Sequence, residues 1–129
     1  MVSKFCLFND NYSSYLAKIG NFNLLKWAKF NGCSLNIKIY SNAARGGHFK
    51  IIQWSRKNGC PWDEYTCSGV AYGGHLDILK WVRENGCPWN ANTCSSAARG
   101  GHLEIIKWVR EKGCQWDEYT CLMQLETVI

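Results

Sequence analysis

The stretch AARGGHLEIIKWVREKGC, residues 97–114, decides the fold because the 129-residue chain contains it three times in closely similar form. The segments AYGGHLDILKWVRENGC (71–87) and AARGGHFKIIQWSRKNGC (43–60) keep its order of small residues, glycine pair, histidine, apolar run and closing Gly-Cys. Trp54, Trp81 and Trp108 are spaced by 27 residues, so the period has no insertion or deletion. A fixed period of this length is the signature of a repeat protein.

Each repeat carries the signals of two short helices. We expect CSSAAR (94–99) to form the first helix, with Thr93 as its N-cap or first-turn residue and Gly100-Gly101 as its end. A second helix begins at His102, has apolar residues at helical spacing, and ends at Gly113. Helices this short are unstable alone in water, so their faces must be buried against neighbouring repeats.

The sequence therefore predicts an all-α, helical solenoid of about four helix-turn-helix repeats in a single domain. The predicted segments are an N-terminal cap or degenerate repeat over 1–11, repeats over 12–38, 39–65, 66–92 and 93–119, and a C-terminal half-repeat cap over 120–129.

The three quoted segments resemble the core of the ankyrin repeat, with its paired alanine, Gly-His junction, apolar second helix and closing glycine. An ankyrin unit has about 33 residues. The shorter period here removes the segment in which ankyrins carry a β-hairpin finger, and the usual Thr-Pro-Leu-His opening is altered. The chain thus resembles the finger-less ankyrin-like proteins of large DNA viruses and some protists. This resemblance implies a non-catalytic protein–protein interaction module.

The composition contains eight cysteines and seven tryptophans, with 47% hydrophobic and 19% charged residues, which excludes a disordered chain. The N-terminus has no apolar run typical of a secretion signal, and no stretch is long enough for a membrane span. We therefore expect a cytoplasmic protein with reduced thiols and no membrane partner, in the host cytoplasm if the protein is viral. The 27-residue phasing indicates that the cysteines and tryptophans are buried packing residues.

No residue cluster predicts an enzyme, a metal site or a cofactor site. Cys60, Cys67 and His75 are a zinc candidate, but the chain lacks the CxxC pairs on which structural zinc sites depend. The glycine pairs lack the phosphate-binding contexts, and a Cys–His nucleophile would need one distinctive pair rather than a set repeated in three units. A Cys60–Cys67 disulfide within one unit remains geometrically open.

Candidate partner-binding residues come from two places. In ankyrins the exposed first-helix positions before the Gly-His junction contact partners, which by resemblance implies Lys18, Arg45, Tyr72 and Arg99. The shortened turns add a neighbouring set, namely Asp63, Glu64, Tyr65, Asn90, Ala91, Asn92, Asp117, Glu118 and Tyr119. Tyrosine and arginine are favoured contact residues in interfaces.

Two alternatives to protein binding through the first helices remain open. The net charge of +5 and the tryptophan columns would suit a nucleic-acid-binding repeat protein, although acidic and basic residues alternate along the helices. The segment CLMQLETVI (121–129) begins a further first helix and has no second one to cover it, which would suit an architectural, self-assembling or virion-associated protein.

Overall fold

The computed structural model describes residues 12–114, and over this range the chain is entirely α-helical, with no strand. The all-α prediction is confirmed. The helices are α1 Tyr12–Ile19, α2 Phe22–Phe30, α3 Lys38–Gly46, α4 Phe49–Lys57, α5 Glu64–Gly73, α6 Leu76–Glu84, α7 Ala91–Arg99 and α8 Leu103–Glu111. Not one of these helices is both long enough and apolar enough to cross a bilayer.

The chain divides between Pro61 and Trp62 into two compact units, each built from two helical hairpins. In the first unit, the first helices α1 and α3 pack side by side, while α2 packs on α1 and α4 packs on α3. In the second unit, α5 and α7 pack in the same way, with α6 on α5 and α8 on α7. The second helices begin 27 residues apart, at Phe22, Phe49, Leu76 and Leu103, so the hairpins follow the period of the sequence.

The first helices bury small side chains where they meet. Ala17, Ala43 and Ala44 are fully buried in the first unit, and Ala71 and Ala97 in the second. A methyl side chain lets two helix backbones approach closely without a steric clash. The paired alanines of the sequence are thus the residues that allow first helices to pack against one another.

The second helices end in one recurring backbone arrangement. After α6, Gly86 has a φ of +91°, its N–H bonds the carbonyl of Arg83, and the N–H of Cys87 bonds the carbonyl of Val82 at 3.0 Å. This pair of bonds is the Schellman motif, which satisfies the last carbonyls of a helix. Gly113 occupies the same place after α8, which confirms its predicted role as the residue that ends the helix.

The first helices begin earlier than the sequence predicted. The N-cap of α7 is Asn90, whose side chain accepts the N–H of Asn92 at 2.9 Å. Thr93, predicted as an N-cap or first-turn residue, is the buried third residue of α7, so it lies in the first turn and is not the cap. Asp63 caps α5 in the same way. Asp63 and Asn90 therefore start α5 and α7 before the predicted repeat boundaries at 65/66 and 92/93. Both boundaries fall within a helix.

In the hairpins that contain α4, α6 and α8, a cysteine thiol joins the two ends of the hairpin. The Sγ of Cys87, after α6, donates to the carbonyl of Asp63 at the start of α5, with a distance of 3.5 Å. Cys60 makes the equivalent bond to Asn36 at 3.2 Å, and Cys114 to Asn90 at 3.4 Å. All three cysteines are buried, so the interpretation of this column as packing residues is confirmed and gains a hydrogen-bonding role.

The backbone carbonyl of the same cysteine is bonded from a second side. The hydroxyl of Tyr40 donates to the carbonyl of Cys60 at 2.7 Å, and Nη1 of Arg56 lies 3.3 Å from the same oxygen. In the second unit, Nη1 of Arg83 donates to the carbonyl of Cys87 at 2.9 Å. The turn after each of these second helices is therefore fixed through both its thiol and its carbonyl.

One cysteine departs from the prediction of reduced thiols. Cys33 is disulfide-bonded, whereas the other five cysteines within residues 12–114 are free, Cys60 and Cys67 among them. The sequence argument placed equivalent cysteines of stacked units too far apart for a bridge. Cys33 has the same position after its helix, and the same N–H bond back to that helix, as the free Cys60, Cys87 and Cys114, so the local backbone does not explain the difference.

A histidine ring fills the space between adjacent hairpins. In the second unit, the ring of His102 lies against Gly74 and Gly100, and its Nε2 is 2.9 Å from the carbonyl oxygen of Tyr72. Because that partner is an acceptor, Nε2 carries the proton and donates. His48 lies against Gly20 and Gly46 in the first unit. The expected structural role of the histidines is confirmed here, and a Cβ atom at these glycines would overlap the ring.

Replacing Ser55 by alanine is expected to stabilise the first unit. Ser55 is fully buried, its hydroxyl has no hydrogen-bond partner, and the equivalent positions hold Ala28, Val82 and Val109. Removing an unsatisfied buried hydroxyl should raise the free energy of unfolding in urea by about 1 kcal/mol. Ser14→Ala is the matched control, because the buried Ser14 hydroxyl does bond Asn36 Oδ1 at 2.7 Å, so stability should fall. Two changes of the same sign would contradict this assignment.

Gly74→Ala is expected to cost clearly more stability than Gly86→Ala. Both glycines have positive φ, +84° and +91°, so both variants pay about 1–2 kcal/mol of backbone strain. Only at Gly74 would the new methyl also meet the His102 ring, since nothing lies within 4 Å at Gly86. Thermal melts of both variants, each with and without His102→Ala, test this. Equal losses, or an excess that persists without the ring, would contradict the steric role of His102.

Candidate interaction surface

Helix α5, the first helix of a hairpin in the second unit, exposes two tyrosines on one side. Tyr65 is 68% exposed and Tyr72 is 42% exposed. They are seven residues apart, which is close to two helical turns, so both project from the same face about 10 Å apart. Helix α5 thus presents two partly exposed aromatic rings to solvent on one face.

The neighbouring helix α7 places polar side chains in the same arrangement. Asn92 and Arg99 are exposed and also seven residues apart, and α7 packs beside α5. Gly69 and Ser96, at the middle of the two helices, are half-buried and small. We call Tyr65, Tyr72, Asn92 and Arg99 the first-helix face of the second unit. Its four larger side chains lie on either side of the small residues Gly69 and Ser96.

The remaining turn residues divide into two kinds. Asp63 and Asn90 are half-buried, and their side chains accept backbone N–H bonds as the N-caps of α5 and α7. Their polar atoms are therefore engaged in starting helices. Glu64 is exposed in the first turn of α5 and lies beside Tyr65, while Ala91 is half-buried at the start of α7.

The first unit also exposes residues of its first helices. Lys18 and Arg45 are exposed near the ends of α1 and α3, at the positions equivalent to Tyr72 and Arg99. The sequence interpretation missed Tyr15, 56% exposed, and Ile19, 50% exposed, which flank Lys18 on α1. The signal was present, because Tyr15 occupies the register position that holds Gly69 and Ser96 in the second unit.

Part of the predicted set lies outside the described residues. Asp117, Glu118 and Tyr119 are beyond residue 114, as are the predicted cap over 1–11, the end of the repeat 93–119 and the half-repeat over 120–129. The self-assembly alternative depended on residues 121–129, so it stays a prediction.

The tryptophans are less buried than the sequence predicted. Trp27 is 40% exposed, and the other tryptophans within residues 12–114 are half-buried. The deepest positions of the second helices are taken by aliphatic residues such as Ile78, Leu79 and Val82. Trp54 instead packs edge-on against Phe22, with ring centroids 5.7 Å apart, so these indoles cover the margin of the core rather than fill it.

The buried thiols differ in the direction in which their pKa is shifted. Burial raises the pKa of Cys60 from 9.0 to about 11, and a hydrogen bond with Cys87, together with burial, raises the pKa of Cys67. A hydrogen bond from Cys94 lowers the pKa of Cys114. Over residues 12–114, no three His, Cys, Asp or Glu side chains are grouped so that they could hold a metal ion.

No protein-family model matches the chain, and no curated protein matches it either. The assignment of a function therefore rests on the residues and their geometry.

The stability of the protein is expected to fall as the pH rises from about 9 to about 11. In this interval the thiol of Cys60 is ionised in the unfolded chain and protonated in the folded one, so folding must take up a proton. This group would lower the free energy of unfolding by at most about 1.4 kcal/mol per pH unit. Burial also raises the pKa of Tyr40, which adds in the same direction above pH 10.

Urea unfolding of the wild-type protein and of Cys60→Ala at several pH values between 8 and 11 measures this contribution. The variant should be less stable at pH 8, because it lacks the bond to Asn36, and should lose stability less steeply with pH. Equal pH slopes for the two proteins would contradict the assignment.

Proposed function

We propose that this protein is a non-catalytic protein–protein interaction module that binds its partner through the first-helix faces of its hairpins. The observation that carries the proposal is the pair of exposed tyrosines on α5 beside Asn92 and Arg99 on α7. Tyrosine and arginine contribute large contact areas and hydrogen bonds, and they are enriched among the residues that dominate binding energies.

The rigidity of the backbone beneath the first-helix face supports this proposal. Asp63 and Asn90 cap the two helices, and Cys87 and Cys114 tie those caps to the ends of α6 and α8. A surface that is already ordered loses little conformational entropy when it binds. The second unit thus offers exposed aromatic area on a fixed frame, which favours recognition over chemistry.

We further propose that the hairpins are finger-less, ankyrin-like repeats of a solenoid. The support is the recurrence of one hairpin design, with alanine contacts between first helices, a glycine-bounded histidine between hairpins, and a Schellman end after each described second helix. Between α6 and α7 the connection is a short turn, in the place where an ankyrin would carry its finger.

Tyr72→Ala combined with Arg99→Ala is expected to weaken partner binding by about tenfold or more, because two solvent-exposed contact residues are removed. The measurement is affinity capture from cells that contain the protein naturally, with quantitative mass spectrometry of the captured proteins. Thermal stability should change little, since both side chains are exposed.

Glu104→Ala combined with Lys107→Ala is the matched control on a second helix. These exposed residues form one weak ion pair at 4.0 Å, so the double variant should keep both its stability and its partner. A partner that is retained by the first-helix variant, or lost equally from both variants, would contradict the proposal.

A further inference from the structure

A second candidate site lies on the other helices of the second unit. A cleft of about 450 Å³ is lined by Lys80, Arg83, Glu84, Trp89, Trp108 and Lys112. These residues come from α6, the turn after it, and α8 with its C-cap, whereas the first-helix face comes from α5 and α7. The volume is within the range typical of ligand-binding clefts.

One wall of this cleft is a fixed stack of a cation and two indoles. The guanidinium carbon of Arg83 lies 4.4 Å from the centre of the Trp89 ring, and Arg83 Nη1 is held by the carbonyl of Cys87 at 2.9 Å. The ring of Trp108 meets Trp89 edge-on, with centroids 5.7 Å apart and planes at 69°. The apolar wall is therefore rigid and half-exposed before any ligand arrives.

The rim of the cleft carries excess positive charge. Lys80 and Lys112 are exposed, and within residues 12–114 neither forms an ion pair. Glu84 follows Lys80 by four residues, a spacing that often gives a helical ion pair, but the two do not pair here. With Arg83, the lining has three cations against one carboxylate, so the cleft attracts anions.

We propose that this cleft binds an acidic peptide segment of a partner protein. Carboxylates of the segment would pair with Lys80 and Lys112, and an intervening apolar or aromatic side chain would pack on the Trp89–Trp108 wall. Both kinds of contact are needed for binding. Exposed ion pairs alone contribute little binding free energy in water, whereas burial of an apolar side chain on an indole contributes more.

Peptide fits this cleft better than nucleic acid. Arg83 covers one face of Trp89, and Trp108 meets this ring edge-on, which reduces the indole surface on which a base could stack. Glu84 in the lining would repel a continuous phosphate backbone. A peptide offers N–H groups to that carboxylate as well as separate carboxylates to the lysines.

Three labelled decapeptide mixtures and one single-stranded DNA are suitable probes. The mixtures are randomised over Asp, Glu, Leu and Phe, over Ser, Gln, Leu and Phe, or over Lys, Arg, Leu and Phe, and the DNA is a mixed-sequence ten-nucleotide strand. Retention of each probe on the immobilised full chain is measured at 50 and 300 mM salt. We expect the acidic mixture to be retained most strongly at low salt, with enrichment of sequences that contain Phe or Leu between acidic residues.

The variant Lys80→Glu with Lys112→Glu should lower retention of the acidic mixture by about tenfold or more. The charge-matched control is Lys29→Glu with Lys57→Glu, two exposed lysines of the first unit, which should leave retention unchanged. If the melt shows that the first variant is unfolded, Lys80→Gln with Lys112→Gln replaces it. The Tyr72→Ala, Arg99→Ala variant should still retain the acidic peptides, so failure of the first-helix proposal and failure of this one are separable.

Several outcomes would overturn the proposal. Equal retention of acidic and neutral mixtures would show that the cleft does not select carboxylates. If the two charge-reversed variants lost retention of the acidic mixture equally, the acidic peptides would be attracted by the net charge of the protein and not by the cleft. Tighter retention of the DNA, lost with Lys80 and Lys112 reversed, would make the cleft a nucleic-acid site.

Discussion

Much of this structure depends on how each helical hairpin is closed. The last carbonyls of a short helix and the first N–H groups of the next need partners, since unsatisfied buried polar groups are costly. In the hairpin of α5 and α6, Cys87 serves both ends. Its N–H completes the Schellman turn, its thiol reaches the N-cap carbonyl of the paired helix, and its own carbonyl accepts from a side chain. Helices of about nine residues can then hold one geometry from hairpin to hairpin.

The same closure determines which residues are left for recognition. Because caps, thiols and histidines satisfy much of the backbone, the exposed positions on first helices can differ from one hairpin to the next. Tyr65 and Tyr72 differ there from their counterparts Lys38 and Arg45, while the framework residues recur. On the second helices, by contrast, one residue has both a structural and a proposed binding role. Arg83 bonds the carbonyl of Cys87 and also forms part of the wall of the cleft lined by Lys80, Trp89 and Lys112, here called the basic cleft.

Periodicity was enough to predict the helices and their pairing, because a 27-residue repeat with glycine stops leaves few alternatives. It could not predict the start of α7, since Asn90, Asn92 and Thr93 are all acceptable cap residue types, and only the backbone path selects Asn90. Periodicity also could not distinguish the fully buried residues of a second helix from the half-buried ones. Trp81 and Leu79 occupy the same second helix, but only the smaller aliphatic side chain fits the deepest layer. The basic cleft combines residues more than 30 positions apart, so no local pattern indicates it.

A buried thiol at the end of a hairpin also records when that hairpin opens. Cys60, Cys87 and Cys114 are shielded from reagents only while their second helices remain docked on the paired first helices. Each is thus an intrinsic reporter at a known position, and its alkylation rate follows the local opening equilibrium rather than global unfolding. Nothing needs to be engineered into the chain to compare the opening of one hairpin with that of the next.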